Sequence, residues 1–126
     1  MKKNRILVVD DSDFITTLIS EYFGDKFNID TVGDGEEALY FLRENDSVDL
    51  IISDLNMPEM NGLQLQKMLK NSLIFRNIPF IILSGDTGTE KKIECLKSGV
   101  VDFIEKPFNP EELKIRCINA IKLSQK

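Results

Sequence analysis

The sequence has 126 residues, 42% apolar and 29% charged, with a formal net charge of −5 and a pI near 4.8. That length suits one compact domain, and that balance suits a packed core rather than a disordered or fibrous chain. The acidity sets the average field against nucleic acid, and the complete absence of His excludes imidazole zinc sites, Ser-His-Asp or Cys-His catalysis and His-based pH switching.

Ile6 to Val9 is a short continuous apolar run, the pattern of a strand buried on both faces. Phe14, Ile15, Leu18, Ile19, Tyr22 and Phe23 then recur with helical period, and Asp11, Ser12 or Asp13 could cap that helix. A weaker strand is expected over Asn28 to Val32. The Gly33-Asp34-Gly35 turn leads into a helix whose first turn carries Glu36 and Glu37, matching its dipole. Leu50 to Ile52 predicts a third strand ending at Ser53-Asp54. A loop with Met57-Pro58 and Asn61-Gly62 precedes a helix carrying Leu63, Leu65, Met68 and Leu69.

Pro79 to Leu83 predicts a fourth strand ending at Ser84-Gly85-Asp86. The following helix carries Ile93 and Leu96 and stops at Ser98-Gly99, a C-terminal glycine signal. Val101 to Ile104 predicts the fifth strand, before Glu105-Lys106-Pro107. A last helix begins after Asn109-Pro110 and carries Leu113, Cys117, Ala120 and Ile121. Five strand–helix units in strict alternation specify an α/β fold: a doubly wound parallel sheet with helices on both faces.

Cys95 and Cys117 sit inside helical patterns without metal or redox spacing, so both are expected as free thiols of a reducing compartment. The basic N-terminus is followed only by the short Ile6–Val9 run, too short for a signal-peptide core or a membrane span. A cytoplasmic chain with no membrane partner is the expectation.

Ligands of open parallel sheets bind beyond the C-terminal strand ends. Here that edge receives Asp10 and Asp11 from the first strand, Asp54 from the third, Ser84 from the fourth and Lys106 from the fifth. Three crowded carboxylates repel one another unless a cation sits among them, and Mg²⁺ suits such hard oxygen donors, with Mn²⁺ as an alternative. A carboxylate, a divalent cation and a lysine together suit phosphoryl transfer, which depends mainly on positioning and on neutralising phosphoryl oxygens. Singly, each residue also fits a plainer role: a strand end, a helix cap, a loop hydroxyl or a solvated lysine.

These residues resemble the response-regulator receiver family, the CheY-like domains of two-component signalling. The matching pieces are Leu7-Val8-Val9-Asp10-Asp11, the segment Asp54 to Gly62, Ser84-Gly85 and Lys106-Pro107-Phe108. The resemblance implies one receiver domain over residues 1–126, flavodoxin-like, with five helices and strand order 2-1-3-4-5. It implies Asp54 as phosphoacceptor, with Asp11, Asp54 and the Asn56 backbone carbonyl as direct Mg²⁺ ligands and Asp10 acting through water. Ser84 and Lys106 would each bind a phosphoryl oxygen, and the Lys106-Pro107 bond would be cis. Ser84 and Phe103 would form a switch that remodels the surface of the fourth helix, fifth strand and fifth helix, where a downstream protein docks.

The resemblance further implies a histidine kinase or His-phosphotransfer protein as donor. The chain itself would be no enzyme beyond its own phosphorylation and dephosphorylation, and would make no direct nucleic-acid contact. Two departures are mild: Ser84 stands where Thr is more frequent, and Gly85 where Ala is common. Asn56 and Asp86 occupy positions that tune acyl-phosphate hydrolysis in the family. The rival readings are a phosphorylation-independent binding module of the same fold, a flavin carrier or an aspartyl phosphatase. The flavin reading lacks a phosphate loop after the first strand, and the phosphatase reading leaves Asp54 without a task.

Overall fold

The five apolar runs pair into one parallel sheet in the computed structural model, which describes residues 2–45, 47–85 and 88–125. The strands are β1 (Arg5–Val9), β2 (Asn28–Val32), β3 (Leu50–Asp54), β4 (Phe80–Ser84) and β5 (Asp102–Glu105). They alternate with α1 (Asp13–Phe23), α2 (Gly35–Glu44), α3 (Gly62–Lys70), α4 (Thr89–Lys97) and α5 (Pro110–Ser124). The order across the sheet is β2-β1-β3-β4-β5, as the resemblance implied. Position 86, to which a role in acyl-phosphate hydrolysis was attached above, lies outside the described residues.

β-Strand periodicity divides the core into two layers. Leu7, Val9, Ile51, Ile82 and Phe103 face one side and pack with Ala38, Leu42, Leu65, Leu69 and Cys95 from α2, α3 and α4. Ile6, Val8, Leu50, Ile52, Ile81, Leu83 and Ile104 face the other and pack with Ile19, Phe23, Leu113, Cys117 and Ile121 from α1 and α5. Strands β1, β3 and β4 are apolar on both faces because both faces are covered. β2 lies at the sheet edge and is half exposed, which is why its apolar pattern is the weakest.

Side-chain caps fix where four helices start. Ser12, one of three candidates, caps α1 by accepting from the Ile15 N–H at 3.3 Å. Asp34 accepts from Glu37 N–H at 2.8 Å, and Asn61 and Gln64 form a reciprocal capping box at 2.8 Å in each direction. Asn109 accepts from the N–H groups of Glu111 and Glu112, ahead of Pro110 at the first helical position. At α4 the cap position is Gly88, which has no side chain to cap the first turn.

β4 and β5 each begin one residue later than the apolar pattern suggests. Val101 is apolar yet 51% exposed, and its N–H meets Phe80 O at 2.9 Å before the ladder with β4 begins at Asp102. Among the described residues no helix is long and apolar enough to cross a membrane. Both cysteines are buried and neither is in a disulfide, and burial pushes the Cys117 thiol up to about 12, so at neutral pH it is no nucleophile.

Candidate functional site

Register brings the polar strand ends together. Val8 pairs with Ile52, and Ile52 with Ile81, so β1 and β3 run out side by side and deliver Asp10 and Asp54 to the same edge. By the two-residue period, Asp10 continues the row of Ile6 and Val8, Asp54 that of Leu50 and Ile52, and Lys106 that of Ile104. All three rows belong to the face that packs on α1 and α5. Carboxylate oxygens of Asp10, Asp11 and Asp54 lie within 4.8 Å of one another, with Asp10 and Asp54 buried and Asp11 exposed.

Lys106 reaches into this group from the residue after β5. Its Nζ lies 3.1 Å from Asp10 Oδ2 and 3.2 Å from Asp54 Oδ1. Its backbone N–H is anchored on Ser84 O at 2.7 Å, and the Lys106-Pro107 peptide is cis. Asp10 has a second direct partner, since its Oδ1 accepts from Ser12 N–H at 2.9 Å. The buried Asp10 carboxylate therefore ties the start of α1 to Lys106, a structural role that a water-mediated ligand alone would not have.

Asp54 is held less completely. Apart from Lys106, its Oδ1 has the Asn56 N–H at 3.4 Å. Burial raises its carboxyl pKa from the ordinary value; Lys106 opposes this and the Asp10 carboxylate adds to it. One ammonium among three carboxylates leaves a local deficit of positive charge at hard oxygen donors, and a divalent cation fits that deficit. Asp11, the exposed member, has an open side toward solvent.

The loop after Asp54 folds back beneath it, a feature that the sequence alone did not reveal. Gly62 N–H bonds Leu55 O at 2.9 Å, and a Cβ on Gly62 would stand 2.4 Å from Asp54 O. Only glycine allows that approach. Glu59 takes a positive φ of 66° to complete the turn. The Asn-Gly dipeptide was the available signal.

Ser84, the last residue of β4, stands at the sheet edge beside the end of β3, where Leu55 N–H meets Leu83 O at 2.9 Å, and by the two-residue period it shares a face with Phe103. Ile82 is the register partner of Phe103, and Ser84 continues the row of Phe80 and Ile82. Ser84 is fully buried, and the Phe103 ring is already buried against the α4 side, with Lys92 Nζ 6.0 Å from its centroid. Among the described residues, a Cβ at Gly85 would meet nothing within 4 Å. A groove of about 630 Å³ runs from Asp10 and Asp11 past Thr16 and Gly33 to Tyr40 and Phe41.

Comparison with known proteins agrees with this geometry. The family model described as response regulator receiver domain matches residues 6–117. A chemotaxis protein CheY homolog of Campylobacter jejuni is 37% identical over 113 residues, covering 87% of this chain and 86% of the relative. A two-component response regulator of Oryza sativa is 35% identical over 118 residues, covering 93% and 90%. Among solved structures, the Francisella response regulator 1452 receiver domain superposes with a TM-score of 0.87 at 38% identity, covering 97% of this chain and 99% of that one.

Proposed function

The chain belongs to the response regulator receiver domain family, and on that premise we propose that Asp54 accepts a phosphoryl group from a phosphohistidine on a partner kinase or phosphotransfer protein. The observation that carries this reading is the convergence of Asp10, Asp11 and Asp54 around the Lys106 ammonium, which lies 3.1 and 3.2 Å from the two buried carboxylates. In the transfer an Asp54 carboxylate oxygen forms the new O–P bond. The P–N bond to the donor imidazole breaks, and its electron pair returns to the ring nitrogen. This sequence has no His, so no residue within 1–126 supplies the donor histidine.

Asp11, Asp54 and the Asn56 carbonyl would hold Mg²⁺, with Asp10 behind them; Mn²⁺ offers the same hard-ion chemistry. Bound there, the ion supplies charge neutralisation for the phosphoryl oxygens. Lys106 is anchored through its backbone on Ser84 O and turns its ammonium from the Asp54 carboxylate to a phosphoryl oxygen. Ser84 donates its hydroxyl to another. That movement repacks Phe103, its neighbour on the same sheet face, and changes the surface formed by α4, β5 and α5, where a downstream protein binds. Because the Phe103 ring is already buried, the switch is a rearrangement within the core rather than a transfer of the ring from water.

Residues 1–126 act in this reading as one cytoplasmic receiver, signalling through protein contact rather than nucleic acid and catalysing only its own phosphorylation and dephosphorylation. Beryllofluoride with Mg²⁺, a mimic of the aspartyl phosphate, tests it: the thermal midpoint rises in the wild type and not in Asp54→Asn. No rise in the wild type would refute the reading.

A further inference from the structure

α4 is held lightly along most of its length. Only Cys95 of its residues is fully buried, and Ile93 and Leu96 are each 46% exposed. Its forward half reaches β5 through Lys92, whose Nζ lies 6.0 Å from the Phe103 ring centroid and 3.9 Å from Glu105 Oε1. Both contacts are partly solvated, so each contributes little.

The other end of α4 is fastened from α3. Gln66, 1% exposed, donates Nε2 to the carbonyl of Ser98, the C-cap of α4, at 2.9 Å. The reversed amide would set oxygen against oxygen, so the donor orientation is fixed by its partner. Gly99 follows with φ +102°, and a Cβ there would lie 3.1 Å from Lys70 Cε and 3.6 Å from Gln66 Nε2. The chain thus reverses tightly against α3 where Gln66 grips it.

This grip carries a cost. Among the described residues Gln66 Oε1 is buried with no hydrogen-bond partner, and an unsatisfied buried acceptor is destabilising. An apolar side chain of the same length would spare that cost but leave the Ser98 carbonyl without this donor. What the amide alone supplies is the bond to Ser98. We propose that Gln66 is a positioning residue that pins the C-terminal end of α4, so that the helix swings about Ser98 and carries Thr89–Ile93 relative to Phe103. The swing rests on the phosphoacceptor reading above, which supplies its trigger; the pin does not.

Residue-resolved hydrogen exchange on the full chain tests both parts. Gln66→Met keeps the length and removes the donor. Amides from Leu96 to Gly99 are expected to exchange about five- to tenfold faster in this variant, in proportion to one lost hydrogen bond. Amides of β1 and β3, which report global opening, are expected to be unchanged or slower. Gln66→Leu gives the same pattern by a second route. Unchanged exchange at Leu96–Gly99, or equal acceleration in the sheet, overturns the pin. With beryllofluoride and Mg²⁺, wild-type changes are expected at Thr89–Ile93 and not at Leu96–Gly99, spreading to Gly99 in Gln66→Met. Uniform change along α4 in the wild type overturns the swing. No response anywhere in the wild type removes the trigger and the swing together, while the pin stands or falls on the first comparison.

Discussion

Lys106 Nζ lies 3.2 Å from Asp54 Oδ1, and the same ammonium lies 3.1 Å from Asp10 Oδ2. One cation thus joins the ends of β1, β3 and β5 across a stretch of chain that separates Asp10 from Lys106 by 96 positions. The pair is both a structural tie and the poised electrostatics of the site.

Removing that cation should therefore be felt in folding as well as in chemistry. Lys106→Ala leaves the buried Asp10 and Asp54 carboxylates without their shared cation. We expect a loss of about 2–3 kcal/mol, below the range for fully buried pairs because the lysine side chain is 21% exposed. Urea denaturation measures it. Adding Mg²⁺ should restore part of the loss, because the ion replaces the missing positive charge.

The raised Asp54 carboxyl gives a pH signature whose sign is opposite to that of a salt-bridged acid. A folded-state pKa above the unfolded value means stability is fully present below the unfolded carboxylate range, near pH 3.9, and is lost as pH rises through the folded value. Asp54→Asn removes the penalty. In metal-free buffer its thermal midpoint should exceed that of the wild type at pH 7, and the gap should close as pH falls toward 4. An equal midpoint at pH 7 would count against the burial of an ionised Asp54.

Mg²⁺ should act on the folded state alone, since the carboxylates gather only there. At one hundred times its dissociation constant, stabilisation is about 2.7 kcal/mol, read as a rise in thermal midpoint that a chelator reverses. Asp11→Ala should weaken the response while leaving the apo midpoint nearly unchanged, because Asp11 is exposed.

Gly62→Ala tests the loop that underlies Asp54. The new Cβ would fall 2.4 Å from Asp54 O, so the backbone must shift. A destabilisation of about 1–3 kcal/mol follows from overpacking, with slower phosphoryl uptake because the clash displaces the Asp54 backbone. Calorimetry and a phosphorylation time course measure the two effects.

Much of the fold could be read in the sequence because burial on both faces leaves continuous apolar runs such as Ile6–Val9 and Phe80–Leu83. The candidate site was legible for a related reason: a parallel sheet collects at one edge whatever polar residues follow those runs. What escaped was set by contacts between distant elements. The direct bonds of Asp10 to Lys106 and Ser12, and the approach of Gly62 to Asp54, depend on how loops return to the sheet. Gln66 left a faint signal, a polar residue three positions from both Leu63 and Leu69 on the buried face of α3. Val101 misled in the other direction, apolar in sequence yet half exposed ahead of β5.

The phosphoacceptor role of Asp54 is tested most directly by intact mass after incubation with acetyl phosphate and Mg²⁺. The wild type should gain one phosphoryl group, and Asp54→Asn should gain none under the same conditions. An unmodified wild type, or an adduct that persists in Asp54→Asn, would contradict the account.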